Sequence, residues 1–148
     1  MDEIGVAQES VPGAAYATAA LRGVPAIIAE VGQQGICDAA SVQRRLRGLQ
    51  NVLASLAMID PGGPALPDPE PMDQMVWMRT EIFATYHPSV VVRVRVVSGQ
   101  KIGELRDLFG ERLMSLEAAA SGVVVFLVTS LAVKRGDPLL GIGVPTSL

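Results

Sequence analysis

The hydrophobic pattern of the first part of the chain is helical. Residues 14–21 are rich in alanine and end before Gly23, which predicts a short helix terminated by a glycine. A second helix is predicted over 39–58, because apolar residues recur there at alternating four- and three-residue spacing and share one face. Asp38 precedes this helix, where an N-cap belongs. The apolar face consists of Val42, Leu46, Leu49, Leu53 and Leu56.

An uninterrupted apolar run that ends in a carboxylate lies between these helices. Residues 26–29 carry no polar side chain, which predicts a strand over Ala26–Val31 that is buried on both faces. Open α/β sheets bind their ligands at the carboxyl ends of such strands. Glu30 is therefore the first candidate for a functional residue. One strand and two helices do not make a stable sheet alone, so this segment needs further strands.

The pattern then changes to that of a β domain. Prolines and glycines crowd residues 60–73 and predict an extended linker. The predicted organisation is an α/β segment at 1–59, the linker at 60–73 and a β domain at 74–148. Glycines separate short apolar runs in this last part, as in closely turned β domains. The predicted strands are Met75–Ala84, Val90–Val97, Lys101–Leu105, Leu113–Ala118, Val123–Val128 and Leu139–Ile142.

A weak internal repeat refines the prediction for the β domain. Each copy consists of a strand, a glycine turn and a second strand, and two such units facing each other predict a small barrel-sandwich of the biotinyl/lipoyl type. Cofactor-carrying domains of that type need a lysine on the hairpin between the halves. Residues 106–111 contain none, which argues against a carrier. The repeated positions are Val96, Gly99 and Ile102, then Val133, Gly136 and Leu139.

Charge and hydropathy argue against nucleic acids and membranes as partners. The net charge of −3 gives no general attraction to nucleic acid or to anionic membranes, and the arginines at 44, 45 and 47 are expected to form a solvated helix face. The most apolar run, 123–133, is too short to span a membrane. The acidic first residues are unlike a signal peptide. We expect a cytoplasmic protein without nucleic-acid or membrane partners.

Few side chains are suited to holding a metal ion. The chain has one cysteine and one histidine. Cys37 has no partner for an internal disulfide, which suits a reducing cytoplasm, and is expected to be inert. His87 is expected at a turn rather than in a metal site. The carboxylate pairs Asp68/Glu70 and Asp107/Glu111 are expected to be solvated, so no metal ligand is predicted.

Several segments, in this order, resemble one enzyme family. The resemblance is to the C-terminal portion of the succinylglutamate desuccinylase/aspartoacylase family, zinc-dependent deacylases related to the zinc carboxypeptidases. It covers nearly the whole chain and implies a helix–strand–helix remnant of a zinc-carboxypeptidase-like α/β sheet, followed by the barrel-sandwich-like β domain. The matching segments are GVPAIIAEVG at 23–32, RGLQNVL at 47–53, IGELRDLFGE at 102–111, GVVVFLVTS at 122–130 and GDPLLGIG at 136–143.

The resemblance also implies a reaction. Family members hydrolyse a non-peptide C–N bond, the amide of a small N-acylated amino acid, and the matching position places their catalytic carboxylate at Glu30. That carboxylate takes a proton from the attacking water and passes it to the leaving nitrogen. The family binds zinc through a His-x-x-Glu pair and a later histidine, all upstream of the matching segments. We therefore expect this chain to bind no zinc and to be inactive alone.

Three alternatives remain open at the level of sequence. The chain is the C-terminal part of a deacylase, or half of a split enzyme whose N-terminal half is separate, or a non-catalytic interaction protein. In the last case a partner or a second copy would cover the edges of Ala26–Val31. Glu30 itself has a purely structural alternative, in which it caps the next helix or pairs with an arginine.

Overall fold

The computed structural model describes residues 5–7, 11–32, 36–60, 62–63 and 70–146. The chain divides into two compact units. The first, Ser10–Asp68, is called the helical unit here. The second, called the β unit, combines Pro69–Leu148 with the first residues, Met1–Glu9.

The helical unit contains the two helices that the sequence predicts. Helix α1 spans Ala15–Leu21, and Gly23 follows it with a φ of 76°. This conformation favours glycine and lets the next amide, on Val24, donate back to the Ala19 carbonyl. Helix α2 spans Ala39–Ser55. Both the glycine termination and the N-terminal position of α2 are confirmed.

Helix α2 begins and ends for identifiable reasons. At its start, the Asp38 carboxylate accepts a hydrogen bond from the Ser41 amide at 2.8 Å, as predicted for an N-cap. Hydrogen bonding from Ser41 lowers the pKa of Asp38. At its end, Ala57 has a φ of 54°, which turns the chain out of the helix before the predicted limit at residue 58.

The buried strand predicted over Ala26–Val31 is wrong. Residues 24–31 have no regular secondary structure, and Ile27 and Ile28 are 74% and 65% exposed. A strand exists only where a neighbouring backbone accepts and donates its hydrogen bonds. No described residue of the helical unit supplies such a backbone, and Ala17 is the only residue buried in the described part of this unit.

The β unit contains two sheets. Their strand orders are β1-β2-β9-β7-β4 and β6-β5-β3-β8, and neither closes into a barrel. Among these pairs only β1 and β2 run parallel. The strands are β1 Gly5–Ala7, β2 Glu70–Arg79, β3 Ala84–Pro88, β4 Arg95–Val96, β5 Lys101–Arg106, β6 Arg112–Glu117, β7 Gly122–Leu127, β8 Ala132–Val133 and β9 Pro138–Pro145.

Three predicted strand boundaries are corrected. Strand β2 starts at Glu70, within the region predicted as linker. The strand predicted over Met75–Ala84 is two strands, because the Thr80 hydroxyl bonds the amide and carbonyl of Ile82 and turns the chain. The strand predicted over Val90–Val97 is only Arg95–Val96, since Arg93 has a φ of 73° just before it.

The two sheets are copies of one arrangement. Exchanging β2 with β6, β3 with β7, β4 with β8 and β5 with β9 converts the order β2-β9-β7-β4 into β6-β5-β3-β8. The internal repeat seen in the sequence is thus a repeat of four strands. Side chains from both sheets form one buried cluster, so the sheets pack face to face. Its members are Ala84, Tyr86, Val96, Ile102, Leu105, Ala118, Val124, Val133, Leu139, Leu140 and Ile142.

Candidate functional site

Glu30 lies on the extended stretch between the two helices, and its side chain is exposed. The stretch is attached to α2 at its end, where the Arg45 guanidinium donates to the Val31 carbonyl at 3.5 Å. The next residue, Gly32, has a φ of 85°, and a Cβ there would lie 3.1 Å from the Ser41 hydroxyl. A side chain at position 32 is therefore disfavoured by both conformation and space, and glycine lets the chain turn closely against α2 two residues after Glu30.

The Glu30 carboxylate does not cap the next helix. Asp38 does so, through the Ser41 amide. The capping alternative for Glu30 is therefore excluded.

The potential metal ligands are dispersed. In the described ranges no group of three His, Cys, Asp or Glu side chains could hold a metal ion. His87, at the end of β3, is half-buried, and its Nε2 atom lies 3.1 Å from the Thr85 hydroxyl. Cys37 is exposed in the helical unit. Asp68 lies outside the described residues, and only the backbone of Glu70 is described.

Of the carboxylate pair Asp107/Glu111, Asp107 has a structural role in a turn. One oxygen of Asp107 accepts hydrogen bonds at 2.9 Å from the amides of both Phe109 and Glu111. The Asp107 amide also donates to the Glu111 carbonyl, and Gly110 has a φ of 90°. This carboxylate organises the hairpin between β5 and β6, an arrangement that the expectation of a merely solvated pair missed.

A cluster of charged residues on β5 was not predicted. The Glu104 carboxylate forms salt bridges with Arg106 and with Lys101, the latter at 3.3 Å. Hydrogen bonding to Arg106 and then to Lys101 lowers the pKa of Glu104. The cluster is compatible with a structural ion network, and the charged–apolar–charged order of residues 104–106 was the signal that could have revealed its Glu104–Arg106 part.

The helical unit exposes the apolar face that the sequence predicts for α2. A face of this width normally packs against other elements. The described part of the unit offers nothing that covers it, and Ile27 and Ile28 on the preceding stretch are exposed as well. The exposed large apolar side chains of α2 are Val42, Leu46, Leu49 and Val52, and Leu56 follows at its end. Leu53, which belongs to the predicted face, is half-buried.

Solved structures with the same fold give these features a context. The apo structure of the ectoine utilization protein EutE (DoeB) from Ruegeria pomeroyi matches 97% of this chain with a TM-score of 0.84 at 18% identity. A succinylglutamate desuccinylase from Silicibacter sp. TM1040 matches 97% with a TM-score of 0.79 at 22% identity. A succinylglutamate desuccinylase/aspartoacylase from Rhodobacter sphaeroides matches 97% with a TM-score of 0.80 at 19% identity. This chain shares their fold.

The structural likeness confirms, at the level of fold, the resemblance to succinylglutamate desuccinylase/aspartoacylase proteins. The present chain spans 47%, 45% and 46% of those three chains, less than half of each. No family model and no curated protein matches the sequence significantly. Within the described residues, no helix is long and apolar enough to cross a membrane.

Proposed function

We propose that this chain is the C-terminal part of a zinc-dependent deacylase that hydrolyses small N-acylated amino acids. The observation that supports this most strongly is the likeness to desuccinylase structures, which extends over 97% of the chain and therefore includes both units. The shared segments named above connect that fold to the family. On the same grounds, the β unit is a domain of the barrel-sandwich type, and the repeat of its two sheets supports this assignment.

Glu30 is the catalytic residue in this proposal. Its carboxylate accepts the proton of the attacking water and returns it to the leaving nitrogen, a role that needs an unprotonated carboxylate with access to the substrate. Two observations support this role. The Glu30 side chain is exposed, and Asp38 rather than Glu30 caps α2, so Glu30 is not used as the helix cap. Gly32 holds the chain that follows Glu30 closely against α2.

The described residues do not fit the zinc site that the family uses. Three protein ligands with an open fourth position are needed for catalytic zinc. The described part of this chain brings no such group together, and its single histidine bonds Thr85 in the β unit. We therefore propose that the chain binds no zinc alone and is inactive alone. The ligands would come from the N-terminal half of the enzyme, in the same polypeptide or in a separate one.

The helical unit supports this requirement for a second half. Its extended stretch has no strand partner in the described unit, and the apolar face of α2 is exposed. A polypeptide that adds strands beside Ala26–Val31 and packs against α2 would bury these side chains. The exposed single cysteine suits a reducing compartment, so we place the assembled enzyme in the cytoplasm.

A chimeric enzyme tests the proposal. The segment of the Silicibacter sp. TM1040 desuccinylase that this chain does not span is fused to the present chain, loaded with zinc and assayed with N-succinylglutamate and with N-acetylated amino acids. The proposal predicts release of the free amino acid. A folded, zinc-loaded chimera without activity on any of these amides would contradict it.

A non-catalytic interaction protein is the second candidate. The exposed apolar face of α2 favours it, because such a face is typical of a surface that binds another protein. The two candidates differ in the chimera: an interaction protein would complete the fold and bury the face without restoring hydrolysis.

A further inference from the structure

The extended stretch that carries Glu30 is attached at its ends rather than along its length. At its start, the Val24 amide donates to the Ala19 carbonyl at 3.0 Å. Its middle is not held by burial, because no residue from 24 to 31 is buried. The position of Glu30 therefore depends on how the stretch is attached at its other end.

A charged side chain of α2 makes that second attachment. The Arg45 guanidinium donates to the Val31 carbonyl at 3.5 Å, and Val31 directly follows Glu30. A positive charge on the donor strengthens such a bond. Within the described residues no salt bridge joins Arg45 to Glu30, so the contact of Arg45 is with the backbone beside the carboxylate.

A second contact with the same helix reinforces this attachment. Gly32 packs so closely on α2 that a Cβ there would lie 3.1 Å from the Ser41 hydroxyl oxygen. Ser41 and Arg45 are four residues apart, so they lie on the same face of α2, one turn from each other. The helix is fixed at this end, because the Asp38 carboxylate caps it. Val31 and Gly32 thus contact successive turns of one helix face.

We propose that Arg45 is a positioning residue for Glu30 in amide hydrolysis, an inference that rests on the proposed function. By holding the Val31 carbonyl against α2, Arg45 limits the movement of the backbone that carries the Glu30 carboxylate. A carboxylate that transfers protons must lie within hydrogen-bond reach of the attacking water, and a displacement of about 1 Å can lower the rate roughly a hundredfold. When the second half of the enzyme covers the stretch, water is excluded and the attraction between guanidinium and carbonyl increases.

Backbone dynamics of the full chain test whether Arg45 holds the stretch. Amide relaxation measured by NMR should give order parameters near those of rigid backbone, about 0.85, for Val31 and Gly32 in the wild type. Arg45→Ala should lower them towards the flexible range below about 0.6, while α2 remains helical because alanine is a good helix former. Low values already in the wild type, or unchanged values in Arg45→Ala, overturn the proposal.

Gln43→Ala is the matched control. Gln43 is an exposed residue of α2 that lies two positions before Arg45 and therefore on the opposite side of the helix. Its replacement should leave the order parameters of Val31 and Gly32 unchanged. An equal loss of order in Gln43→Ala and Arg45→Ala would show that the stretch responds to α2 in general, and this would overturn the role of Arg45.

The kinetics of the zinc-loaded chimera test the consequence for hydrolysis. Arg45→Ala should lower kcat roughly ten- to a hundredfold with zinc still bound and change KM little, because a displaced carboxylate impairs proton transfer rather than substrate binding. Arg45→Lys keeps a charged donor on this face and should recover part of the loss. Gln43→Ala should leave both kcat and KM unchanged.

The outcomes distinguish a failure of this role from a failure of the proposed function. A parent chimera without activity contradicts the proposed function, whereas the order parameters report on the Arg45 contact in either case. An active parent whose Arg45→Ala variant keeps its kcat overturns the positioning role alone. A rise in KM without a loss of kcat also overturns it, because Arg45 would then bind substrate instead of positioning Glu30.

Discussion

Val96 and Val133 occupy equivalent places in the two halves of the β unit. Each is the last residue of a two-residue strand, and both are almost completely buried. Val96 lies opposite Gly122 and Val133 opposite Ala84, the first residues of two strands that also correspond. The repeat therefore includes side-chain positions and strand register as well as strand order.

The turns after these valines repeat the same hydrogen bonds. The Val97 amide donates to the Gln100 side chain at 3.0 Å, and the Lys134 amide donates to the Asp137 carboxylate at 3.0 Å. Gln100→Ala and Asp137→Ala should each lower the free energy of unfolding by about 1 kcal/mol, because each leaves a turn amide without its acceptor. The effects should add in the double variant, since the two side chains share no partner.

Urea unfolding followed by the fluorescence of Trp77 measures these effects, because this single tryptophan belongs to β2. Gln100→Glu and Asp137→Asn keep a side-chain acceptor and serve as controls with little loss. Strongly non-additive losses would contradict the independence of the two turns.

The Tyr86 hydroxyl is buried and has no hydrogen-bond partner among the residues that the structure describes. Tyr86→Phe should therefore raise the free energy of unfolding by about 1 kcal/mol, since it removes an unsatisfied polar group without changing the ring. Burial raises the pKa of Tyr86 to about 12, above its ordinary value of 10.0. Its neutral form is thus favoured by folding, and this contribution is complete below pH 10 and is lost as the pH rises towards 12.

Denaturation of the wild type and of Tyr86→Phe at pH 8 and at pH 11 tests whether the Tyr86 hydroxyl is unsatisfied and has a raised pKa. The wild type should lose more stability between the two pH values than Tyr86→Phe does. A Phe variant that is less stable than the wild type at pH 8 would indicate a partner for the hydroxyl.

Gly122 is required by close packing between strands. A Cβ at this position would clash with the Gly143 carbonyl oxygen and lie 2.8 Å from Cγ2 of Ile142. Gly122→Ala should destabilise the β unit by on the order of 2 kcal/mol, because β7 and β9 must separate to accommodate it. The Trp77 transition again provides the measurement.

Gly48→Ala is the matched control. Gly48 lies within α2, and a Cβ there has open space around it. The substitution should increase helix stability and leave the Trp77 transition unchanged. A Gly122→Ala variant as stable as the wild type would contradict the close approach of the two strands.

Zinc binding by the isolated chain tests whether it lacks the metal ligands of a complete enzyme, as we propose. The isolated chain should retain no stoichiometric zinc after dialysis and should hydrolyse no N-acylated amino acid above background, with or without added zinc. Elemental analysis and titration calorimetry measure the first result, and detection of free amine measures the second. Tight binding of one zinc ion per chain would contradict the account.

Local signals predicted some elements correctly. The Asp38 cap and Gly23 act through neighbouring atoms, so the sequence alone indicates where α1 ends and α2 begins. The glycines at 99 and 136 have positive φ, as turns between repeated strands require, so the repeat was also recognisable.

Features that depend on distant backbone or on unusual conformations were not predictable. The apolar stretch at 26–31 has the composition of a buried strand but finds no pairing backbone in the described helical unit. Ala57 and Arg93 adopt positive φ without being glycine, so their residue types gave no sign of the breaks they cause. The role of Glu30 remains a prediction that rests on the resemblance.

The central claim is that Glu30 moves the proton in amide hydrolysis once the second half of the enzyme is present. The most direct measurement compares kcat of the zinc-loaded chimera with that of its Glu30→Gln and Glu81→Gln variants, since Glu81 is a solvent-exposed carboxylate of the β unit. The account predicts that Glu30→Gln lowers kcat by about a hundredfold or more with zinc still bound, while Glu81→Gln leaves it unchanged. A Glu30→Gln chimera as active as its parent would contradict the account.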